Sequence, residues 1–208
     1  MIEVREAMTA RPAVLTDAAV ITEIYNQGIS DRVATFETEL RSQADIEAWF
    51  ESALALVSVE AAGHVVAYAV AHRYADRGCY RGIGEFSVYV EPTWRGRGAG
   101  VVAMAALHDA ARASGLWKLL SRIFPENRAS LALMARSGFR EVGIHEKHGK
   151  LDGVWMDTVI VEKLIPENID KQTKQANTPI RAAIWAGVGD LAMADVYISL
   201  EKEGAKQA

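Results

Sequence analysis

The segment Glu85-Phe-Ser-Val-Tyr-Val-Glu-Pro-Thr-Trp-Arg-Gly-Arg-Gly-Ala-Gly100 constrains this chain more than any other, because an apolar strand runs through Pro92 into a basic, glycine-rich turn that opens a helix. Glycines at 96, 98 and 100 let the backbone turn sharply and approach an anion closely, and the unpaired N–H groups of the helix's first turn point at it. Arg95 and Arg97 add forked cationic donors, which suit a multiply charged phosphate better than a neutral ligand. Residues Arg95, Gly96, Arg97, Gly98, Ala99, Gly100 and Val101 therefore read as a cradle for a pyrophosphate.

Two familiar phosphate loops do not match. A P-loop requires a lysine directly after its last glycine, and here no lysine follows until Lys118. A dinucleotide fingerprint counted from Gly96 puts Val101 where its third glycine belongs, and no acidic ribose ligand stands near residue 120.

The 208 residues, half of them hydrophobic, suffice for one sizeable core and leave two full domains cramped. A net charge of −4 gives no electrostatic reason to expect nucleic acid or an anionic membrane as partner. No apolar run approaches a membrane span and the start of the chain is acidic, so the reading is a cytoplasmic protein. A lone cysteine, Cys79, excludes an internal disulfide, and His145-x-x-His148 lacks a third ligand, so no metal site is expected.

Along the chain, residues 1–12 read as a lead-in, with a first strand near Ala13 to Leu15. Thr16 or Asp17 then caps a helix that Gly28 stops. A loop from Arg32 to Leu40 carries Phe36, and Ser42 starts a second amphipathic helix through Ile46, Trp49 and Phe50. Val57 to Glu60 and Val65 to Ala71 flank a turn and predict a hairpin, followed by the strand Ile83 to Val90. A helix over 98–114, a strand over 119–124, a short helix from Asn127 or Arg128 to Ala135, and strands over 139–144 and 154–161 complete a mixed α+β sheet with helices on both faces. Residues 166–208 form an extension too apolar for simple disorder; packing on the domain, dimer formation and an added element all stay open.

Arg95-x-x-Gly98-x-Gly100 after a strand, with Asn127-x-x-Ser130, Ser137-Gly138-Phe139 and Trp155-Met156-Asp157, resembles the acyl-coenzyme A loop and flanking motifs of GNAT-type N-acetyltransferases. The block Arg77-x-x-Tyr80-Arg81-x-x-x-Glu85-x-x-Val88-Tyr89-Val90 is similar to the phosphinothricin acetyltransferase branch, and the stretch from Gly149 to Trp155 to arsinothricin N-acetyltransferases. The likeness covers residues 13–165. It implies the acyl-CoA N-acyltransferase fold, with a central, mostly antiparallel, twisted sheet. It also implies acetyl-CoA as donor, a homodimer, and a small anionic amino-acid-like acceptor such as phosphinothricin, arsinothricin or methionine sulfoximine.

By the same resemblance Glu85 is the general base, the backbone of Val88, Tyr89 and Val90 binds the pantetheine amides, and Asn127 holds the pantetheine arm. Ser130 is either a ligand or a helix cap. Glu85 also has a plain reading, as a surface acid or a partner of Arg81. Many relatives place a proton-donating tyrosine where this chain has Met134, so the general acid stays unassigned. Arg73, Arg77 and Arg81, in a loop that glycines keep from being helical, would grip the anionic acceptor, with Phe36 and Tyr80 walling its aliphatic part. Asp152 either shapes its turn or reaches the acceptor, and an acyl-enzyme on Cys79 is disfavoured because no histidine is near in sequence. Two other readings remain: a protein or peptide N-acetyltransferase, and a non-catalytic acyl-CoA sensor.

Overall fold

A computed structural model describes residues 7–169, so the readings made on residues 1–6 and on the extension beyond 169 lie outside the described residues. Seven strands form one sheet in the order β1-β2-β3-β4-β5-β7-β6, antiparallel throughout except where β4 and β5 run parallel. The strands are β1 (Met8–Pro12), β2 (Ala55–Ala61), β3 (His64–Arg73), β4 (Ile83–Val90), β5 (Lys118–Ile123), β6 (Arg140–Leu151) and β7 (Val154–Leu164). The helices are α1 (Ala18–Ser30), α2 (Gln43–Glu47), α3 (Trp49–Ser52), α4 (Ala99–Ala113) and α5 (Arg128–Arg136).

Helices cover both faces, as the pattern predicts. Central strand β3 alternates Ala67, Ala69 and Ala71 with Tyr68 and Val70, and both sets are buried. The alanines face Ala103, Met104 and Leu107 of α4, where small side chains on strand and helix let the two approach closely. Tyr68 and Val70 face Ile21 and Ile24 of α1 and Ile46 of α2. Burying apolar surface on both sides of one sheet is the main stabilising term, roughly 25 cal/mol per Å² removed from water.

Three expectations change here. The first strand is Met8–Pro12, ahead of the expected Ala13–Leu15, and it pairs with β2. Val14 already belongs to a turn, because its N–H donates to the Asp17 carboxylate at 3.0 Å. The first helix runs through Gly28 to Ser30. Gly28 is there for closeness: a Cβ on it would lie 2.4 Å from the Tyr89 ring. The β6 strand also outlasts its expected end at Ile144, crossing a bulge at Lys147, where φ is +49° and the N–H donates to the Asp157 carboxylate at 2.6 Å.

Turn chemistry elsewhere follows the residues. Ala62-Gly63 and Asp152-Gly153 both have positive φ at two successive positions, the tight hairpin geometry that joins β2 to β3 and β6 to β7. Ser42 caps α2 by accepting from the Asp45 N–H while Asp45 accepts from the Ser42 N–H.

Candidate active site

The parallel pair β4–β5 is in register over Ile83↔Lys118, Gly84↔Leu119 and Glu85↔Leu120, and there the pairing stops. Both strands continue, to Val90 and Ile123, so they diverge and leave a gap in the middle of the sheet. Side chains alternate along β4, so Glu85, Ser87 and Tyr89 face the α1 side, and Phe86, Val88 and Val90 face the α4 side. Glu85 stands at the fork.

A cleft of about 500 Å³ opens between β4 and the N-terminal ends of α4 and α5. Val88, Tyr89, Val90, Arg95, Gly96, Gly98, Gly100, Val101, Asn127 and Ser130 all line it. The glycine turn is built for contact: Gly96 and Gly98 have φ of +76° and +103°, and a Cβ on either would meet nothing within 4 Å. Helix α4 carries no side-chain cap, and the N–H groups of Val101 and Val102 both donate to the Gly98 carbonyl. The amides before them are the orphan donors of a helix start. This turn fits a pyrophosphate in shape and donor chemistry.

Its cations are arranged less simply. Arg95 Nε donates to the Val90 carbonyl at 3.1 Å and its Nη2 pairs with Asp31 at 2.7 Å, so it ties the end of β4 to the end of α1. Arg97 lies over the Trp94 ring, 5.3 Å from its centroid, and lines neither cleft; Ala99 is buried against the core. Arg136, which the sequence reading did not single out, lines the cleft at the end of α5. Asn127 caps α5, its Oδ1 accepting from the Ser130 N–H at 3.1 Å, and its Nδ2 donates to the Val33 carbonyl at 3.1 Å. It thus ties the start of α5 to the 31–40 loop.

On the α1 side a second cleft of about 570 Å³ is lined by Glu85 and Phe36 together with Tyr25, Arg122, His148 and Thr158. The 31–40 loop forms its outer wall. Arg32, at φ +58°, holds that loop by donating to the carbonyls of Glu37 and Thr38 and pairing with Asp152 of the β6–β7 turn at 3.2 Å. Asp152 therefore shapes its turn and also anchors this wall. Phe36 packs edge-on against Phe124 at 4.8 Å, and Gly149 is needed beneath it, since a Cβ there would sit 2.9 Å from its ring.

Glu85 pairs with Arg122, Oε1 to Nη1, at 2.6 Å, with 31% and 35% of the two side chains exposed. The arginines expected beside Glu85 lie elsewhere: none of Arg73, Arg77, Tyr80 and Arg81 lines either cleft. Tyr80 packs edge-on against Tyr74 and Arg81 lies over Trp117, both ahead of β4. Cys79 is exposed on the same short turn and lines neither cleft.

Tyr89 lines both clefts, its ring held between Tyr25 at 5.1 Å and Tyr68 at 5.6 Å. Burial pushes its phenol well above the usual range, and Tyr25 is raised for the same reason, with a hydrogen bond to Thr35 opposing both shifts. Met134, 1% exposed, lines a small cavity that shares Ser87, Tyr89 and Arg122 with the Glu85 cleft and Val88, Asn127 and Ser130 with the other. The position offers no proton. Among the described residues no group of His, Cys, Asp and Glu could hold a metal ion.

Sequence comparison agrees with this geometry. Residues 21–139 match the model of the acetyltransferase (GNAT) family. The chain is 33% identical over 157 residues to an L-methionine sulfoximine/L-methionine sulfone acetyltransferase of Pseudomonas paraeruginosa, covering 73% of this chain and 91% of that one. It is 31% identical over 160 residues to a phosphinothricin N-acetyltransferase of Streptomyces coelicolor, covering 74% and 94%. The crystal structure of a GNAT superfamily phosphinothricin acetyltransferase from Sinorhizobium meliloti in complex with acetyl-CoA superposes with a TM-score of 0.70 at 30% identity, over 76% of this chain and 88% of that one. A forked sheet, a glycine turn at a helix start and a family match across both place the chain in the GNAT family of acetyltransferases.

Proposed function

We propose that the protein transfers the acetyl group of acetyl-CoA directly to the amine of a small amino-acid-like acceptor, of the phosphinothricin, arsinothricin or methionine sulfoximine type, with Glu85 as general base. The observation that carries this reading is the fork: β4–β5 pairing ends at Glu85, with a phosphate-suited cleft on one face of the sheet and a second cleft, lined by Glu85 itself, on the other. The named activities of the relatives support the acceptor class.

Acetyl-CoA supplies the activated acyl group as a thioester. The glycine turn from Gly96 to Gly100 and the α4 start bind its pyrophosphate, with Arg95 and Arg136 close by. Backbone groups of Val88 to Val90, which have no strand partner on the β5 side, orient the pantetheine arm, and an N–H near Val90 polarises the carbonyl. The Glu85 carboxylate takes a proton from the acceptor ammonium, directly or through a water, while its pairing with Arg122 fixes its orientation. No protein acid is needed at Met134, since a thiol of pKa ~8.5 is a tolerable leaving group. Arg122 is the cation that the acceptor cleft itself presents, which assigns to it the anion recognition expected of Arg73, Arg77 and Arg81.

The reading includes a cytoplasmic homodimer. Exposed Val142, Ile144, Val154 and Trp155 on the β6–β7 hairpin support the second part, because apolar side chains gathered on one hairpin favour a protein contact. No described helix is long and apolar enough to cross a membrane.

The test is thiol release from acetyl-CoA against a panel of amino-acid analogues, with Glu85→Gln alongside. The substitution should lower kcat by about 10²–10⁴-fold and leave acetyl-CoA affinity unchanged. Because the Glu85–Arg122 pair is about a third exposed, its loss should cost no more than about 1 kcal/mol of stability. Weakened cofactor binding with normal turnover would refute the base assignment, and stabilisation by acetyl-CoA with no turnover on any amine would favour a sensor.

A further inference from the structure

Three side-chain atoms in the described residues are buried without a hydrogen-bond partner: Gln27 Oε1, Tyr68 Oη and Thr158 Oγ1. Gln27 and Tyr68 line neither cleft. Thr158 does line one: it is 1% exposed, sits on β7, and forms part of the acceptor-side cleft with Glu85, Arg122, Phe36 and His148. A buried hydroxyl without a partner is unfavourable, and native structures nearly always satisfy one. β7 reaches the cleft at this point because its pairing with β5 begins at Ile123↔Val159, one residue further on. The hydroxyl therefore lies where β5 has just ended and nothing else of the described chain answers it.

We infer that Thr158 is a specificity-determining residue, its hydroxyl hydrogen-bonding a polar group on the side chain of the acceptor. The inference rests on the acetyl-transfer reading above and goes beyond it. The charged pair at the fork deals with the reacting end of the acceptor, whereas Phe36 and Phe124 present apolar ring surface to its stem. That leaves Thr158 for the end that distinguishes one acceptor from another. A neutral hydroxyl, which can donate and accept, fits an oxygen-bearing group such as a sulfone or sulfoximine better than a bare hydrocarbon or thioether. A site built to pair such a group discriminates strongly against an analogue lacking it.

The experiment compares wild type, Thr158→Val and Thr158→Ser on methionine sulfone and on methionine, which differ only in the sulfone oxygens, and measures the Tm of each variant. Valine keeps the β-branched shape that suits a strand and deletes the hydroxyl. Thr158→Val should lose at least ~10-fold in kcat/KM for the sulfone, carried by KM. The same variant should erase the preference over methionine and leave the KM for acetyl-CoA alone. Its Tm should hold or rise, because an orphaned hydroxyl has gone. Thr158→Ser should restore the preference. A preference that survives in Thr158→Val overturns the inference alone, and so does a clear fall in Tm, since that means the hydroxyl is already paired within the fold. A wild type that acetylates phosphinothricin but neither of these compounds overturns the inference alone, whereas one inert towards all three overturns the acetyl-transfer reading with it.

Discussion

Gly28→Ala tests the link between core packing and the active site. The added Cβ would lie 2.4 Å from Cε1 and 2.6 Å from Cδ1 of Tyr89, where carbon atoms prefer about 3.5–4.0 Å, so helix α1 and the ring must part by roughly 1 Å. The ring has no easy retreat, being 9% exposed, edge-on to Tyr25 and stacked on Tyr68 at 17° between planes. Overpacking of this kind costs about 1–3 kcal/mol. Alanine in place of glycine inside a helix returns about 0.5–1 kcal/mol. At 2.4 Å the upper part of the overpacking range, about 2–3 kcal/mol, applies, so the clash wins with a net loss of about 1–2.5 kcal/mol, or about 2–10 °C in Tm for a domain of this size. Gly78→Ala is the control, because a Cβ there meets nothing within 4 Å and φ is not positive; its Tm should barely move. Since Tyr89 lines both clefts, Gly28→Ala should also raise KM for both substrates. A Tm equal to or above wild type would refute the reasoning, showing that α1 yields freely and that closeness to Tyr89 is not why glycine stands there.

Two other outcomes follow from buried polar groups. Asn168, 3% exposed, donates through Nδ2 to the carbonyls of Arg112 and Leu116 at 2.8 and 2.7 Å; the Arg112 carbonyl keeps the Gly115 N–H, so Asn168→Ala should strip the Leu116 carbonyl of this donor and lower the free energy of urea unfolding by about 1–3 kcal/mol. Hydrogen bonds from Lys118 and Arg140 hold the Glu162 carboxyl below the usual range; at Asp17 burial pushes upward, but Arg11, the Val14 N–H and Ser58 outweigh it. Both groups are thus more acidic folded than unfolded, so their stabilisation is complete above the unfolded pKa near ~4 and is lost as pH falls through the folded values. The urea midpoint should drop on acidification below about pH 4, and Glu162→Gln should flatten that drop.

Most of the sheet was legible because local signals agreed with tertiary demands. The strand Ile83–Val90 and the helix after it have apolar patterns bounded by glycine and proline, and they fold within a residue of their predicted limits. The failures came where a local signal served a distant partner. Gly28 reads as a helix stop by propensity, yet its lack of a Cβ is spent on Tyr89, 61 positions away. The β6 strand seemed to end at Ile144 because the following residues lack an apolar alternation, and nearly all of them are exposed. Backbone pairing to β7 and the Asp157 carboxylate at Lys147 extend it instead, and neither is visible in the pattern of β6 itself.

The two halves of the candidate site differ for the same reason. The donor cradle is one contiguous run, so residue types and spacing speak for it directly. The acceptor cleft collects side chains from α1, the 31–40 loop, β4, β5, β6 and β7, and no window of sequence contains it. Arg73, Arg77 and Arg81 lie near Glu85 along the chain, but none lines its cleft: Arg73 stands opposite Gly84, one position off the His72–Glu85 pair and so on the other face of the sheet, and Arg81 lies over Trp117. The true partner was within reach of one further step. In a parallel pair with Glu85 opposite Leu120, side chains at 120 and 122 share the face of Glu85, while Leu119, Ser121 and Ile123 turn inward. Lys118 and Arg122 are the basic residues on that face, two positions either side of Leu120, and Lys118 is taken by Glu162 of β7, which leaves Arg122 as the group that meets Glu85.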